Sequence, residues 1–133
     1  MTVRYYITPY DPEGWRDPDA DDSTRPHSDL RVNVNDFDKQ LRQRWHEAEA
    51  SRGSWQFNYP DGQGIGGSLI DDNEGDHQIA AIEVGRGFNE FVLWYRSFIP
   101  PEYPLFLFLE GQWNSLQLTS RTPLEEIAAF TGL

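Results

Sequence analysis

The chain has no cysteine among its 133 residues. A disulfide framework, a zinc site built on thiolates and a cysteine nucleophile are therefore excluded. The N-terminal stretch MTVRYYITPY lacks the basic start and the apolar run of a secretory signal. Since the absence of cysteine is also compatible with a reducing compartment, we expect a cytoplasmic protein.

Long apolar runs are also missing, because no stretch contains the roughly 18 successive apolar residues of a transmembrane helix. The densest candidate, residues 88–109, is interrupted by Arg96, Pro100 and Pro101. Its apolar residues recur at helical spacing, at Phe88, Phe91, Val92, Tyr95, Phe98 and Ile99. This pattern predicts a helix that the prolines end, followed by a strand, LFLFLE, covered on both sides.

Positive charge is scarce, since 11 basic residues face 22 acidic ones and the formal net charge is −11. Binding to nucleic acids draws its affinity from Lys and Arg on phosphates, so this composition predicts no nucleic-acid partner. Anionic membranes are disfavoured for the same reason. A basic protein or a cation would be attracted, and the alternative is that the charge only keeps the protein soluble.

Periodicity predicts a single α+β domain over residues 1–133, with about six mainly antiparallel strands and three helices in the order β-α-β-β-β-α-β-β-α. A strand is predicted at 3–8 and a helix from Asp36 to Ser51, with Asn35 as its N-cap. A β-meander is predicted over 54–84, followed by the helix and strand of 88–109 and a further strand at 115–120. Thr122 and Glu125 suggest a capping box for the last helix, and Gly132 its end.

A long loop rich in Pro and Asp is predicted at about 9–30. Asp17, Asp19, Asp21 and Ser23 alternate as the first ligands of an EF-hand calcium loop do. The sixth position is Asp22 instead of Gly, and the twelfth is Ser28 instead of Glu. The sequence therefore indicates weak calcium binding at most, or a solvated acidic loop, and predicts no other cofactor.

Two glycine-rich stretches resemble phosphate-binding loops. Gly62, Gly64 and Gly67 match the GxGxxG pattern, but no helical period follows them, so hairpin glycines are the better interpretation. Gly85, Arg86 and Gly87 lie between a predicted strand and a predicted helix, where free backbone N–H groups can hold an anion. The alternative for this second stretch is a tight turn with a solvated arginine.

Catalytic patterns are weak. His27, His46 and His77 are scattered, and Ser68, Asp76 and His77 share a predicted hairpin without the strand-turn-helix elbow of a nucleophile. The sequence therefore favours a protein that is not an enzyme.

The remaining pattern is typical of a protein-binding module. Loop aromatics next to charge often anchor interfaces, so the predicted partner contacts are Trp15, Asp17, Asp19, Asp21, Asp22 and Trp113. In charge profile alone the chain is similar to immunity proteins that neutralise basic toxins, and the overall profile resembles that of small bacterial proteins. The alternative hypothesis is a site for a small molecule or an anion, with or without catalysis, at Gly85-Arg86-Gly87.

Overall fold

One antiparallel sheet and three helices make up the described part of the computed structural model, which covers residues 3–12, 28–57, 65–71, 77–112 and 114–133. The strands are β1 (Arg4–Thr8), β2 (Ala48–Ser51), β3 (Ser54–Phe57), β4 (Gly66–Asp71), β5 (His77–Glu83), β6 (Leu105–Leu109) and β7 (Leu116–Leu118), and the helices are α1 (Val34–Arg44), α2 (Phe88–Phe98) and α3 (Leu124–Thr131). The strand order is β2-β3-β4-β5-β1-β6-β7. The predicted α+β class with an antiparallel sheet is confirmed, and β2 is a strand that the sequence did not predict.

Strand register places one set of side chains on the face that the helices cover, here called the inner face. Tyr5 lies opposite Ile82 and Leu109, and Ile7 lies opposite Ala80 and Leu107. Following these pairs outward through the sheet gives the inner set: Ala48, Ala50, Trp55, Phe57, Gly67, Leu69, Leu105, Leu116 and Leu118. Since successive strand residues point to opposite faces, this one alternation builds half of the core.

The helical stripe predicted over 88–99 is confirmed by burial. Phe88, Phe91, Val92 and Tyr95 are at most 1% exposed, and α2 ends at Phe98, with only Ile99 between it and the prolines. Aromatic contacts join α2 to the inner face, since the rings of Phe91 and Trp55 stack with centroids 4.8 Å apart. Within the described ranges, no helix has the length and apolar character needed to cross a bilayer.

Helix α1 is shorter than predicted. It begins at Val34, with the Asn33 side chain accepting a hydrogen bond from the Asp36 N–H, so the cap is Asn33 and not Asn35. It ends at Arg44, and Ala48–Ser51 pairs with β3 instead of continuing the helix. Trp45 and Ala48 are buried in this arrangement, as they would be on a helix face, so their spacing did not distinguish the two structures.

The turn between β2 and β3 explains why residues 48–51 form a strand instead of continuing α1. Arg52 and Gly53 join the paired residues Ser51 and Ser54, and both have positive φ, 56° and 81°, as a type I′ hairpin turn requires. The buried carboxylate of Asp38 accepts the Gly53 N–H at 3.2 Å. Gly53 lies just beyond the predicted helix end at Ser51, and in the structure it belongs to a hairpin turn that α1 supports.

The last helix also differs from its predicted start. The Thr122 hydroxyl accepts the Thr119 N–H at 2.8 Å, and α3 begins at Leu124 without a side-chain cap, so the capping box is wrong. Pro123 is the N-cap residue instead of the first helical residue. Gly132 ends the helix as predicted, with φ of 71° and its N–H on the Ala128 carbonyl.

Candidate functional site

The two ends of the sheet differ in the segments that leave them. Because β1 and β5 are antiparallel, with Ile7 opposite Ala80, the last residue of β1 and the first residue of β5 lie at the same end. From this end the chain continues into residues 13–27, with five acidic and two basic residues, and into 72–76, with three acidic residues and no basic one. We call it the acidic end.

The predicted partner contacts fall in two separate parts of the sequence. Trp15, Asp17, Asp19, Asp21 and Asp22 lie outside the described residues, in the part of the sequence that follows β1. Trp113 also lies outside them, and it is bracketed by the turn after β6. Glu110 in that turn donates its N–H to the Arg4 carbonyl, so the turn lies at the opposite end of the sheet.

The Gly85-Arg86-Gly87 stretch connects β5 to α2, as the sequence predicted. Gly87 has φ of 84° and is the N-cap of α2, and the Phe88 N–H is bonded to the Gly85 carbonyl at 3.2 Å. The positive end of the helix already carries the exposed carboxylate of Glu90 in its first turn. Gly87 is therefore explained by the left-handed backbone that the turn requires.

The start of α2 is also tied to the end of α3. The Thr131 hydroxyl lies 3.0 Å from Asn89 Oδ1, and Asn89 Nδ2 donates to the Leu133 carbonyl at 3.1 Å. These hydrogen bonds occupy the side chain of Asn89, which could otherwise contact a ligand at the N-terminus of α2. The geometry at this stretch supplies a strand-turn-helix connection and no independent sign of an anion.

The second glycine pattern falls partly within the sheet. Gly67 lies in β4, with Trp55 packed over it so closely that an added Cβ would be 2.6 Å from Trp55 Cζ2 and would collide with the Ala81 carbonyl. Gly62 and Gly64 lie outside the described residues. Because Gly67 belongs to a strand and serves packing, it does not open a helix for a dinucleotide.

A groove of about 610 Å³ runs along α2 and past the turn before α3. Glu90, Leu93 and Trp94 line it from α2, Arg44 from the end of α1, and Ser120 from the turn. Its lining mixes one carboxylate, cationic groups and apolar surface. Together these polar groups do not favour one chemical class of ligand.

Arg96 lies at one wall of the groove, and it is not part of the apolar stripe that the sequence predicted for α2. It is 4% exposed, and its Nη atoms donate to four carbonyls, those of Ile99, Pro100, Tyr103 and Leu118. Four of its five N–H groups are thereby used. Its position explains how the end of α2, the proline turn and β7 are held together.

The electrostatics of Arg96 follow from burial. Within the described residues no carboxylate pairs with it, and its Nε is buried without a hydrogen-bond partner. Removal from water lowers the pKa of Arg96, and the neighbouring Tyr95 partly opposes this effect. The same burial raises the pKa of Tyr95 well above its ordinary value of 10.0. We assign both residues to the framework of the fold, since their polar atoms point into protein.

The outer face of the sheet carries a second apolar surface. Register turns six apolar side chains away from the helices, and we call them the outer patch: Tyr6, Ile70, Ile79, Ala81, Phe106 and Phe108. None of the six belongs to the core cluster that the helices complete. Tyr6 and Phe108 stack with ring centroids 5.6 Å apart. Polar residues surround them, including Arg4, Gln56 and Gln117.

Metal and catalytic hypotheses gain no support from the described residues. In these ranges no three His, Asp or Glu side chains come together as metal ligands would. The proposed calcium ligands Asp17, Asp19, Asp21 and Ser23 lie outside the described residues. His46 is exposed in the turn between α1 and β2, and Ser68 lies within β4, away from any helix start.

Comparison with known proteins supplies no further guide. No protein-family model matches the chain, and neither a curated protein nor a solved structure matches it significantly.

Sequence reasoning missed the outer patch and the burial of Arg96. The outer patch had a signal, since Tyr6 alternates with Tyr5 and Ile7, and Phe106 and Phe108 alternate with Leu105 and Leu107. The LFLFLE pattern was interpreted as a strand covered on both sides, and on its outer side Phe108 is buried at 8% exposure while Phe106 is half-buried. Arg96 gave no such signal, because its place on α2 follows from the carbonyls that surround it.

Proposed function

We propose that this chain is a non-enzymatic protein-binding module whose partner is a basic protein. The observation that supports the proposal is the position of the strand ends from which two acidic segments continue. The two acidic segments, 13–27 and 72–76, continue from strand ends at the same end of the sheet. Together they hold eight of the 22 acidic residues and two of the 11 basic ones.

Charge concentrated in this way favours fast, selective association. A negative surface attracts a positive partner over about 8–10 Å at physiological ionic strength and repels acidic competitors. Trp15 is the aromatic anchor of the proposed contact, and Asp17, Asp19, Asp21 and Asp22 are its charged contacts. Trp113 belongs to the same proposal through a partner long enough to reach both ends of the sheet.

The proposal is tested by capture from the source lysate with two charge-matched variants. One variant changes Asp17, Asp19, Asp21 and Asp22 to Asn. The control changes four other exposed carboxylates, Glu90, Glu102, Glu125 and Glu126, to Gln. Both remove four negative charges, so a general charge effect would act equally on the two.

We expect the wild type and the control to retain a protein of high isoelectric point at 50 mM salt. The Asp variant should lose at least about tenfold of it, and 500 mM salt should release it from all three proteins. Equal retention by the two variants, or recovery of no basic protein at low salt, would contradict the proposal.

The alternative function, anion binding at Gly85-Arg86-Gly87, has less support. The turn has the backbone conformation that a helix start requires, but Glu90 is placed where an anion would sit nearest the helix dipole. Titration with inorganic phosphate and with ATP, followed by the amide signals of residues 85–90, tests it. A dissociation constant below 1 mM that Arg86→Ala raises would favour this alternative.

A further inference from the structure

Strand β2 has a sequence that favours a helix. Alanine and glutamate make up three of its four residues, and both are good helix formers that are depleted in strands. No glycine or proline separates Arg44, the last residue of α1, from Gly53. The glycine and proline signals that commonly end a helix are therefore missing where α1 ends. Conflicts of this kind between local preference and tertiary structure are typical of functional or strained segments.

The end of α1 is also close in geometry to a continuing helix. The Trp45 N–H still donates to the Leu41 carbonyl at 2.9 Å, and only then does Trp45 adopt an extended backbone, with φ of −127° and ψ of 101°. A continuous helix would place Trp45 and Ala48 on the same face as Phe37 and Leu41. All four side chains are at most 8% exposed in the strand arrangement, so a helix would direct the same apolar side chains towards the core.

The turn that joins β2 to β3 is strained. Arg52 has φ of 56° and is, in the part of the chain that the structure describes, the one residue other than glycine with a positive φ. In this region the Cβ atom lies too close to a carbonyl oxygen, so the hairpin carries a cost in free energy that a helix would not. Such strain persists only where other contacts hold the backbone in place.

Two side chains of α1 supply those contacts. The carboxylate of Asp38, which is 5% exposed, accepts the Gly53 N–H at 3.2 Å. One helical turn later, Arg42 Nη1 donates to the Ala50 carbonyl at 2.7 Å. Hydrogen bonds to charged groups are stronger than neutral ones, so the two contacts oppose the strain of the turn. Neither would form on a continuous helix, because Ala50 would lie about 12 Å along the axis from Arg42.

We propose that residues 45–51 are a conformational switch. They form the turn and strand described above in the major state, and they continue α1 as a helix in a second, less populated state. Asp38 and Arg42 are positioning residues that favour the strand, whereas the strain at Arg52 opposes it. The helical state leaves β3 as the edge of the sheet, with the backbone groups that now pair with β2 free to pair with another strand. This inference does not depend on the proposed function.

Saturation-transfer NMR on the ¹³C- and ¹⁵N-labelled protein detects such a second state through its exchange with the major one. We expect a minor population of about 0.1–10%, in which the Cα shifts of residues 46–51 move in the helical direction. Helix α3 should show no second state. That result would separate the switch from global unfolding, in which every helix takes part.

Two neighbouring substitutions in the turn should act in opposite directions. Arg52→Gly removes the strain and should lower the minor population about three- to tenfold, since glycine accepts a positive φ without cost. Gly53→Ala introduces strain where φ is 81° and should raise the minor population about three- to tenfold.

A substitution in α1 tests the contact with Ala50. Arg42→Ala removes the donor to that carbonyl and should raise the minor population about three- to tenfold. Residue 42 is helical in both states, so the higher helix propensity of alanine cancels between them. Lys39→Ala is the control, because Lys39 is also exposed, is also helical in both states and also removes one cation from α1. It should leave the population unchanged.

Three results would overturn the inference. A minor state with random-coil Cα shifts would show that β2 detaches without becoming helical. The absence of a second state from the wild type, Arg42→Ala and Gly53→Ala together would show that the segment has one conformation. Equal minor populations in Arg52→Gly and Gly53→Ala would show that the strain of the turn does not set the balance.

Discussion

The inner and outer faces of the sheet are built from the same seven strands and carry different amounts of cover. On the inner face, Ile7, Ala80, Ile82 and Leu107 are fully buried under the helices. On the outer face their immediate neighbours Tyr6 and Phe106 are half-buried, and Ile70 is 36% exposed. The alternation of side chains places apolar residues on both faces of the sheet. Among the described residues, helices cover only the inner face.

This difference predicts that substitutions on the two faces of the sheet have different effects. The inner aromatic side chains contact one another at 4.8–6.5 Å between centroids and take part in one core cluster. On the outer face, the ring of Tyr6 stacks on that of Phe108 with centroids 5.6 Å apart. Substitutions on the inner face should therefore act on folding, and substitutions on the outer face should act chiefly on what the face contacts.

The largest effect is expected from removing an inner aromatic ring. Phe91→Ala should lower the free energy of unfolding by about 3–5 kcal/mol, because Phe91 is fully buried and contacts Trp55 and Tyr95. Phe106→Ala on the outer face should cost about 1–2 kcal/mol, since part of that ring is already in water. Urea denaturation measures both, and equal losses would show that the two faces are equally packed.

Two neighbouring glycines of β4 test the same contrast on a smaller scale. Gly67→Ala, on the inner face, should cost about 1–3 kcal/mol because its Cβ would meet Trp55 Cζ2 at 2.6 Å. Gly66→Ala, on the outer face, would bring a Cβ to 3.1 Å from the Trp55 carbonyl oxygen. Its effect should stay within about 1 kcal/mol, since the strand gains rigidity from alanine. Thermal unfolding of the two variants gives the comparison, and the reverse order would contradict the assigned faces.

The smallest effect concerns the buried hydroxyl of Tyr95, which has no hydrogen-bond partner among the described residues. Tyr95→Phe should leave stability at pH 7 unchanged or raise it by up to about 1 kcal/mol, because an unsatisfied polar group is removed. A loss of more than about 2 kcal/mol would mean that the hydroxyl has a partner.

The same substitution has a pH signature. Burial raises the pKa of Tyr95 in the folded state above 10.0, so its contribution to stability is complete below that pH and is lost as the pH rises above it. Tyr95→Phe should therefore flatten the fall of stability above pH 10. Burial also raises the pKa of Tyr5, so part of the fall should remain in the variant. An unchanged slope in urea denaturation between pH 9 and pH 11 would contradict the assignment.

The features that the sequence predicted correctly are those with a local physical cause. Prolines stop α2 because they lack the N–H and clash with the preceding turn, whatever surrounds them. Gly132 ends α3 because glycine accepts a positive φ without strain. The alternation of β1 and the stripe of α2 each extend over enough residues to define one period.

The features that it missed depend on partners distant in the chain. Residues 45–51 were predicted to be helical, but Ala48–Ser51 form β2 because β3 is present to pair with them and Asp38 supports the turn between the two strands. Arg96 is not part of the predicted apolar stripe, and it is buried because four carbonyls from the segment that follows α2 and from β7 accept its N–H groups.

The amino-acid sequence by itself determined the class of the fold, the excess of negative charge and the absence of cysteine chemistry, since each depends on composition or on short-range periodicity. The tertiary structure decided which strand face received the helices and which strand ends the acidic segments share. Those two properties are set by strand order and register, in which residues about 70 to 100 positions apart, such as Ile7 with Ala80 and Leu107, become neighbours. No local pattern encodes such neighbours, because side chains of the same type alternate on both faces.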